Sequence, residues 1–173
     1  MSLSGSTASS SGSVPREHLA HLERRVSIIA SSCNAKLQPS LMRALGCRVQ
    51  RQPLRVSILL AASAASELIA DARASDRVAV VFSEPSTHRT VQLKGRGIDV
   101  EPARADERGL AAQYVERMVA EIGGLGYQVP MVRSMFAHDP EDLVWMHFTP
   151  FMSVDQTPGA RPAAEPARSG VGS

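Results

Sequence analysis

The stretch 76–95 (Asp-Arg-Val-Ala-Val-Val-Phe-Ser-Glu-Pro-Ser-Thr-His-Arg-Thr-Val-Gln-Leu-Lys-Gly) constrains the fold of this chain more than any other segment. An apolar run from Val78 to Phe82 passes through the polar turn Glu84-Pro85-Ser86-Thr87 into a strictly alternating run, the pattern of a β-hairpin. On the second strand Thr90, Gln92, Lys94 and Arg96 fall on one face at period two, and Val91 and Leu93 on the other. One face therefore joins a core. The other carries a row of donors that suits an anionic, hydrogen-bonding ligand and equally describes a solvated sheet face.

The flanking segments extend the strand pattern. Residues 26–31 form a short β-branched run, Cys33-Asn34-Ala35-Lys36 supplies turn chemistry, and 39–49 reads as one longer alternating strand, giving a second hairpin. Arg51-Gln52-Pro53 turns the chain into a strand over 54–61. A helix over 63–73 follows, with Ser63 as its cap and Glu67 near its first turn. A clearer amphipathic helix covers 106–122, with Leu110, Tyr114, Met118 and Ile122 on one face and Gly123-Gly124 at its end. After the Asp139-Pro140 turn a last strand is expected over 143–149. Near the N-terminus Ser13 is the expected cap of a short helix over 15–25, with Pro15 in the first turn and Leu19 and Leu22 on one face. The fold class that follows is α+β, mainly antiparallel β, with flanking helices.

Composition narrows the function classes. With 173 residues, 43% of them hydrophobic, the chain has enough apolar surface for one core, expected over 14–155. Residues 1–13 are Ser/Gly-rich and 156–173 are Pro/Ala/Gly-rich, and both are expected to be disordered tails. The formal charge of +2 comes from 19 basic and 17 acidic residues scattered along the chain, so nucleic acid is not an expected partner. No apolar run has the length of a signal peptide or membrane span, and the two cysteines, Cys33 and Cys47, form neither a CxxC pair nor a zinc-spaced cluster. These features point to a cytoplasmic protein with no membrane partner.

Among single residues Arg43 stands out. In the 39–49 run it shares a face with Leu41, Leu45, Cys47 and Val49, an arginine on an otherwise apolar stripe. A guanidinium there either clamps a phosphate or carboxylate, pairs internally, or snorkels at a sheet edge. His88 and Arg89 stand at the hairpin turn, where binding residues and merely exposed polar residues both collect. His18 and His21 share a helix face but lack a third metal ligand, and Cys47 inside a strand reads as a structural thiol. GxSxG, P-loop and GxGxxG motifs are absent, and Gly123-Gly124-Leu125-Gly126 closes a helix instead of opening one. Met131, Met135, Phe136, Trp145, Met146 and Phe148 are most simply core or subunit interface.

The order of these elements resembles the pyridoxamine 5'-phosphate oxidase-like superfamily, the FMN-binding split β-barrels. The likeness runs from Val26 to Pro102. It is carried by Gln38-Pro39-Ser40 leading into the Arg43 strand, the Ser66-containing helix, Arg77-Val78-Ala79-Val80-Val81-Phe82 and Arg89-Thr90-Val91-Gln92-Leu93-Lys94-Gly95; a looser part covers Phe148-Thr149-Pro150 and 155–159. The resemblance implies a homodimer that binds FMN at the subunit interface and oxidises or reduces a small-molecule substrate. It assigns Arg43 and Ser66, with Ser40 beside them, to the phosphate. Thr90, Gln92 and Lys94, with Arg89, go to the ring and ribityl chain, Lys94 being the cation that stabilises reduced flavin. Four departures are written in the sequence, the first being that Arg43 stands one position late relative to the family proline, a slip that would put it on the opposite face of the strand. Glu67-Leu68 replaces the family's Arg-Lys pair, Thr90 replaces a glutamine, and the basic substrate segment has no counterpart, which argues against authentic pyridoxamine phosphate oxidation. The alternative of a different class is a non-catalytic module on the same barrel holding haem, through His88 or His147, a deazaflavin, or no cofactor. A purely structural dimerisation domain is the third reading.

Overall fold

The hairpin that dominates the sequence is the middle of the sheet. The computed structural model describes residues 14–159. Strands β1 (Ser27–Cys33), β2 (Pro39–Arg43), β3 (Cys47–Arg51), β4 (Leu54–Ala61), β5 (Val78–Ser83), β6 (Thr90–Pro102) and β7 (Leu143–Asp155) form one antiparallel sheet in the order β2-β1-β5-β6-β7-β4-β3. Val78, Val80 and Phe82 of β5 and Val91 and Leu93 of β6 are buried on its inner side, as alternation requires. Each such side chain contributes about 1.5–3 kcal/mol of apolar transfer. Gly95 extends this inner row because a Cβ there would come 2.1 Å from Cδ2 of the buried Phe148.

The expected single strand over 39–49 is broken. β2 pairs with β1 and β3 pairs with β4, at opposite edges of the sheet, and residues 44–46 carry the chain between them. Ala44 N–H donates to Ile28 O at 2.9 Å, Leu45 N–H to Leu59 O at 2.7 Å, and Leu59 N–H to Gly46 O at 3.0 Å. One bent segment thus bonds first to β1 and then to β4 and closes the sheet into a split β-barrel. The bend also breaks the apolar stripe proposed for Arg43. Ala44 and Leu45 are both buried, whereas Leu41 is 65% exposed.

Helices flank the barrel: α1 (Arg16–Leu22), α2 (Ser66–Ser75), α3 (Gly109–Gly123) and α4 (Val129–Met135). α1 starts after Pro15, and the proposed Ser13 cap lies outside the described residues, as does the 1–13 tail. Its two histidines are structural, His18 Nδ1 bonding Ser153 Oγ and His21 Nε2 bonding Phe82 O at 3.1 Å. α2 begins at Ser66, not Ser63, because Ala62 and Ser63 give their N–H groups to Asp142, and it has no side-chain cap. α3 is preceded by a 3-10 turn, Ala105–Glu107, that replaces its expected first turn. α4 was not expected from the sequence; its Val132 is buried while Met131 and Met135 are exposed, so those methionines are not core. Phe136, Trp145, Met146 and Phe148 are core. β7 runs six residues past the expected end at 149 and pairs along β6 as far as Val91↔Asp155. Beyond it Gln156 N–H donates to Thr90 O, and Thr90 N–H to Thr157 Oγ1, so the first residues of the expected C-terminal tail are tied to β6. No helix among the described residues is long and apolar enough to cross a membrane.

Candidate functional site

The strand registers bring the polar stripe of β6 and the arginine of β2 onto one outer face. Arg43 lies opposite Ile29, Ile29 opposite Val81, and Val81 opposite Gln92, one row across four strands. Three strand spacings separate Arg43 from Gln92, about 14 Å. In the adjoining row Ser27 faces Ser83, which faces Thr90. Arg43 joins the two rows: its Nη1 donates to Ser27 Oγ at 2.7 Å, and its guanidinium lies 5.2 Å from the centroid of Phe136. The hydroxyl line continues with Ser83 Oγ and Thr90 Oγ1 2.8 Å apart. Because Thr90 Oγ1 donates to His88 O at 3.0 Å, Ser83 is the donor to Thr90.

Arg43 is one of the arginines among the described residues that pair with no carboxylate, and it is half-buried. Arg24, Arg48, Arg51, Arg55, Arg108 and Arg133 each hold a carboxylate, while Arg43 has no carboxylate within ion-pair reach among the described residues. Its charge rests on a hydroxyl and a ring face, neither of which neutralises it. An added anion would gain most at such a position. Burial raises the pKa of the neighbouring Tyr114, whose hydroxyl donates to Val26 O at 2.8 Å and stays protonated beside this cation.

The other residues singled out in the sequence divide. Thr90 and Gln92 are half-buried on the same face as Arg43. Lys94 is exposed on that face about 13 Å from Thr90 and lines a cleft that includes none of Arg43, Thr90 and Gln92. Arg89 is half-buried at the hairpin end and has no carboxylate partner among the described residues. Ser40 is buried on the opposite face and donates to Asp71 Oδ2 of α2 at 2.7 Å, so its hydroxyl is already committed. Ser66 is exposed at the start of α2, and no hydrogen bond among the described residues joins it to Arg43.

Of the histidines, His147 is engaged through both ring nitrogens, Nδ1 with Ser57 Oγ at 2.7 Å and Nε2 with Glu101 Oε1 at 3.2 Å. His88 is exposed with φ 59° at the turn. Among the described residues no cluster of His, Cys, Asp and Glu is arranged to hold a metal ion. Burial pushes the Cys47 thiol pKa up, as a structural thiol requires. Sequence reasoning missed Ser27, Ser83 and Phe136. The serines were within reach, because Ser83 and Thr90 bracket the hairpin turn and must face one another once it closes. Phe136 was not, since only tertiary packing of α4 brings it to β2.

No protein-family model matches the chain, and no curated protein matches its sequence. Solved structures do match. An F420 reductase superposes with a TM-score of 0.50 at 15% identity, covering 82% of this chain and 98% of the other. HupZ of Group A Streptococcus superposes with a TM-score of 0.50 at 11% identity, covering 87% and 100%. A pyridoxamine 5'-phosphate oxidase-related, FMN binding protein from Nostoc punctiforme PCC 73102 gives 0.48 at 13% identity, covering 84% of each chain. At these identities what is shared is the fold, the split barrel of the pyridoxamine 5'-phosphate oxidase-like proteins.

Proposed function

We propose that this split barrel binds FMN on its outer face, between Arg43 and the Thr90/Gln92 stripe, and uses it to oxidise or reduce a small molecule. The observation that carries the reading is the guanidinium of Arg43, without a carboxylate and joined through Ser27 to a line of hydroxyls across β1, β5 and β6. Arg43 supplies charge and a donor for the phosphate, and Thr90 and Gln92 supply hydrogen bonds for the ring or ribityl chain at the opposite end of a span of about 14 Å. A bound flavin carries the electron chemistry, and the protein orients it and sets its surroundings. With Glu67 beside Ser66 and Ser40 committed to Asp71, the phosphate falls to Arg43.

The same face exposes Leu41 at 65% on β2, the strand of Arg43, and Met152 at 44% and Val154 at 38% on β7, beside the polar stripe. A second copy covering them would complete the site, so a homodimer is part of the proposal. Free thiols at Cys33 and Cys47 fit a reducing, cytoplasmic setting. The fold shared with an F420 reductase makes a deazaflavin the second ligand to try. Haem is disfavoured at His147, whose nitrogens are both engaged. The test is the visible spectrum of the purified protein after incubation with FMN and desalting. Retained flavin bands that disappear in Arg43→Ala are expected; retention unaffected by that substitution would move the phosphate elsewhere.

A further inference from the structure

At the far end of the outer face, about 13 Å along β6 from Thr90, Arg77 and Lys94 line one cleft, and Arg96 stands beside it against the same Phe151 ring as Arg77. A cleft of about 300 Å³ is lined by Ser31 and Cys33 of β1, Arg77 at the start of β5, Lys94 of β6 and Phe151 of β7. The guanidinium centres of Arg77 and Arg96 each lie 5.6 Å from the centroid of the Phe151 ring. The β5–β6 ladder pairs Ala79 with Lys94 and Val78 with Gly95, so Arg77 and Arg96 stand at the next pair along it. Like charges so placed across two strands repel. Neither arginine has a carboxylate within ion-pair reach among the described residues. The nearest acid in sequence, Asp76, is turned to the backbone, its Oδ1 accepting from Gly97 N–H at 2.8 Å and Ile98 N–H at 2.9 Å.

A second observation concerns Phe151. β7 pairs Met152 with Lys94 and Pro150 with Gly95, so Phe151 is the extra residue of a β-bulge. A bulge re-aims the side chain it carries, and this one sets an aromatic ring 5.6 Å from each of the two guanidinium centres. Cation–ring contacts hold both arginines in place without neutralising them. Ser31 Oγ and Ser32 Oγ donate to the carbonyls of Ala79 and Arg77, which fixes the β5 edge of the cleft.

We infer that this cleft is a binding site for the phosphate group of a small phosphomonoester, on the same face as the flavin site but apart from it. A dianion relieves the repulsion between Arg77 and Arg96, planar guanidiniums match phosphate oxygens, and Lys94 adds a third charge. The volume is at the lower end of the range for small-molecule sites, enough for a phosphate with a short carbon skeleton. Lys94 thereby takes a different partner from the flavin ring to which the resemblance assigned it.

The test is calorimetric titration of the full chain with inorganic phosphate and with glycerol 3-phosphate, glycerol serving as the uncharged control. Saturable binding of both anions is expected, with a component whose affinity falls at least about tenfold in Arg77→Gln and in Arg96→Gln. Arg43→Ala should leave that Arg77- and Arg96-dependent component unchanged, which separates this site from the flavin phosphate. Arg77, Lys94 and Arg96 are exposed, and circular dichroism of each variant checks that it folds; Lys94→Gln serves in place of one that does not. Binding in which no component weakens with the Arg77 and Arg96 substitutions, loss of that component in Arg43→Ala, or no saturable binding would each overturn the assignment.

Discussion

Replacing Glu107 by glutamine tests whether charge holds the barrel closure to helix α3. Glu107 accepts from Arg104 N–H at 2.9 Å, from Arg48 Nη1 and from Trp145 Nε1 at 3.1 Å. Arg48 belongs to β3, just after the 44–46 bend, and its guanidinium also lies 4.3 Å from the Trp145 ring centroid, so this carboxylate ties the bent segment to β7 and to the turn before α3. The Arg104 N–H first, then Arg48 and Trp145, hold its pKa at about 2 instead of the ordinary 4.5. A depressed carboxylate stabilises the folded state fully above its unfolded pKa, and that stabilisation is lost as pH falls from 4.5 toward 2. At 1.36 kcal/mol per pH unit the full difference is roughly 3 kcal/mol. Solvent screening of an ion pair whose arginine is half exposed reduces this to about 1–2 kcal/mol. Urea unfolding near neutral pH should therefore show Glu107→Gln less stable by about 1–2 kcal/mol, roughly 3–6 °C in Tm. The difference should shrink steadily below about pH 4.5. A deficit independent of pH would mean that the glutamine disturbs packing and that ionisation of Glu107 is not what matters.

Three further perturbations follow from the geometry. Gly95→Ala places a methyl 2.1 Å from Phe148, and overpacking of this kind costs about 1–3 kcal/mol or more; a lowered Tm partly restored by Phe148→Leu is expected, and an unchanged Tm would refute the contact. His21 is buried, its Nδ1 lacks a partner, and burial lowers its pKa below 6.5. Folding thus disfavours its protonation, so stability contributed by neutral His21 is present above 6.5 and lost as pH falls toward the folded value. A stability–pH curve over that window that is no flatter in His21→Leu would refute the role. Leu41→Asp on the exposed face should halve the solution mass of a dimer of 18.5 kDa chains in light scattering, and an unaltered mass would place the interface elsewhere.

What could be read from the sequence tracks how local the determinants are. The β5–β6 hairpin was legible because its inward residues Val78, Val80, Phe82, Val91 and Leu93 alternate without interruption. The 39–49 run misled because alternation says nothing about which neighbour a strand bonds. Ala44 to Gly46 change partners from β1 to β4, and only closure of the barrel dictates that bend. α2 started late because Asp142, distant in sequence, takes the N–H groups of Ala62 and Ser63. For the site, period two gave the Thr90/Gln92/Lys94 face, and the same parity separates Ser40 from Arg43. The resemblance grouped Lys94 with the flavin, and the structure lines a cleft with it beside Arg77 and Phe151, a grouping on which the phosphate proposal rests. No period in the sequence announces a bulge such as the one that aims Phe151.

The most direct test of the flavin reading is an equilibrium titration of FMN into the cofactor-free protein, followed by flavin fluorescence, for the native chain and for Arg43→Ala. Loss of one charge-assisted contact to phosphate corresponds to about 1.5–3 kcal/mol, so saturable binding weakened by roughly ten- to a hundredfold in the variant is expected. No binding to the native chain, or equal affinity in Arg43→Ala, would contradict the assignment of FMN to this face.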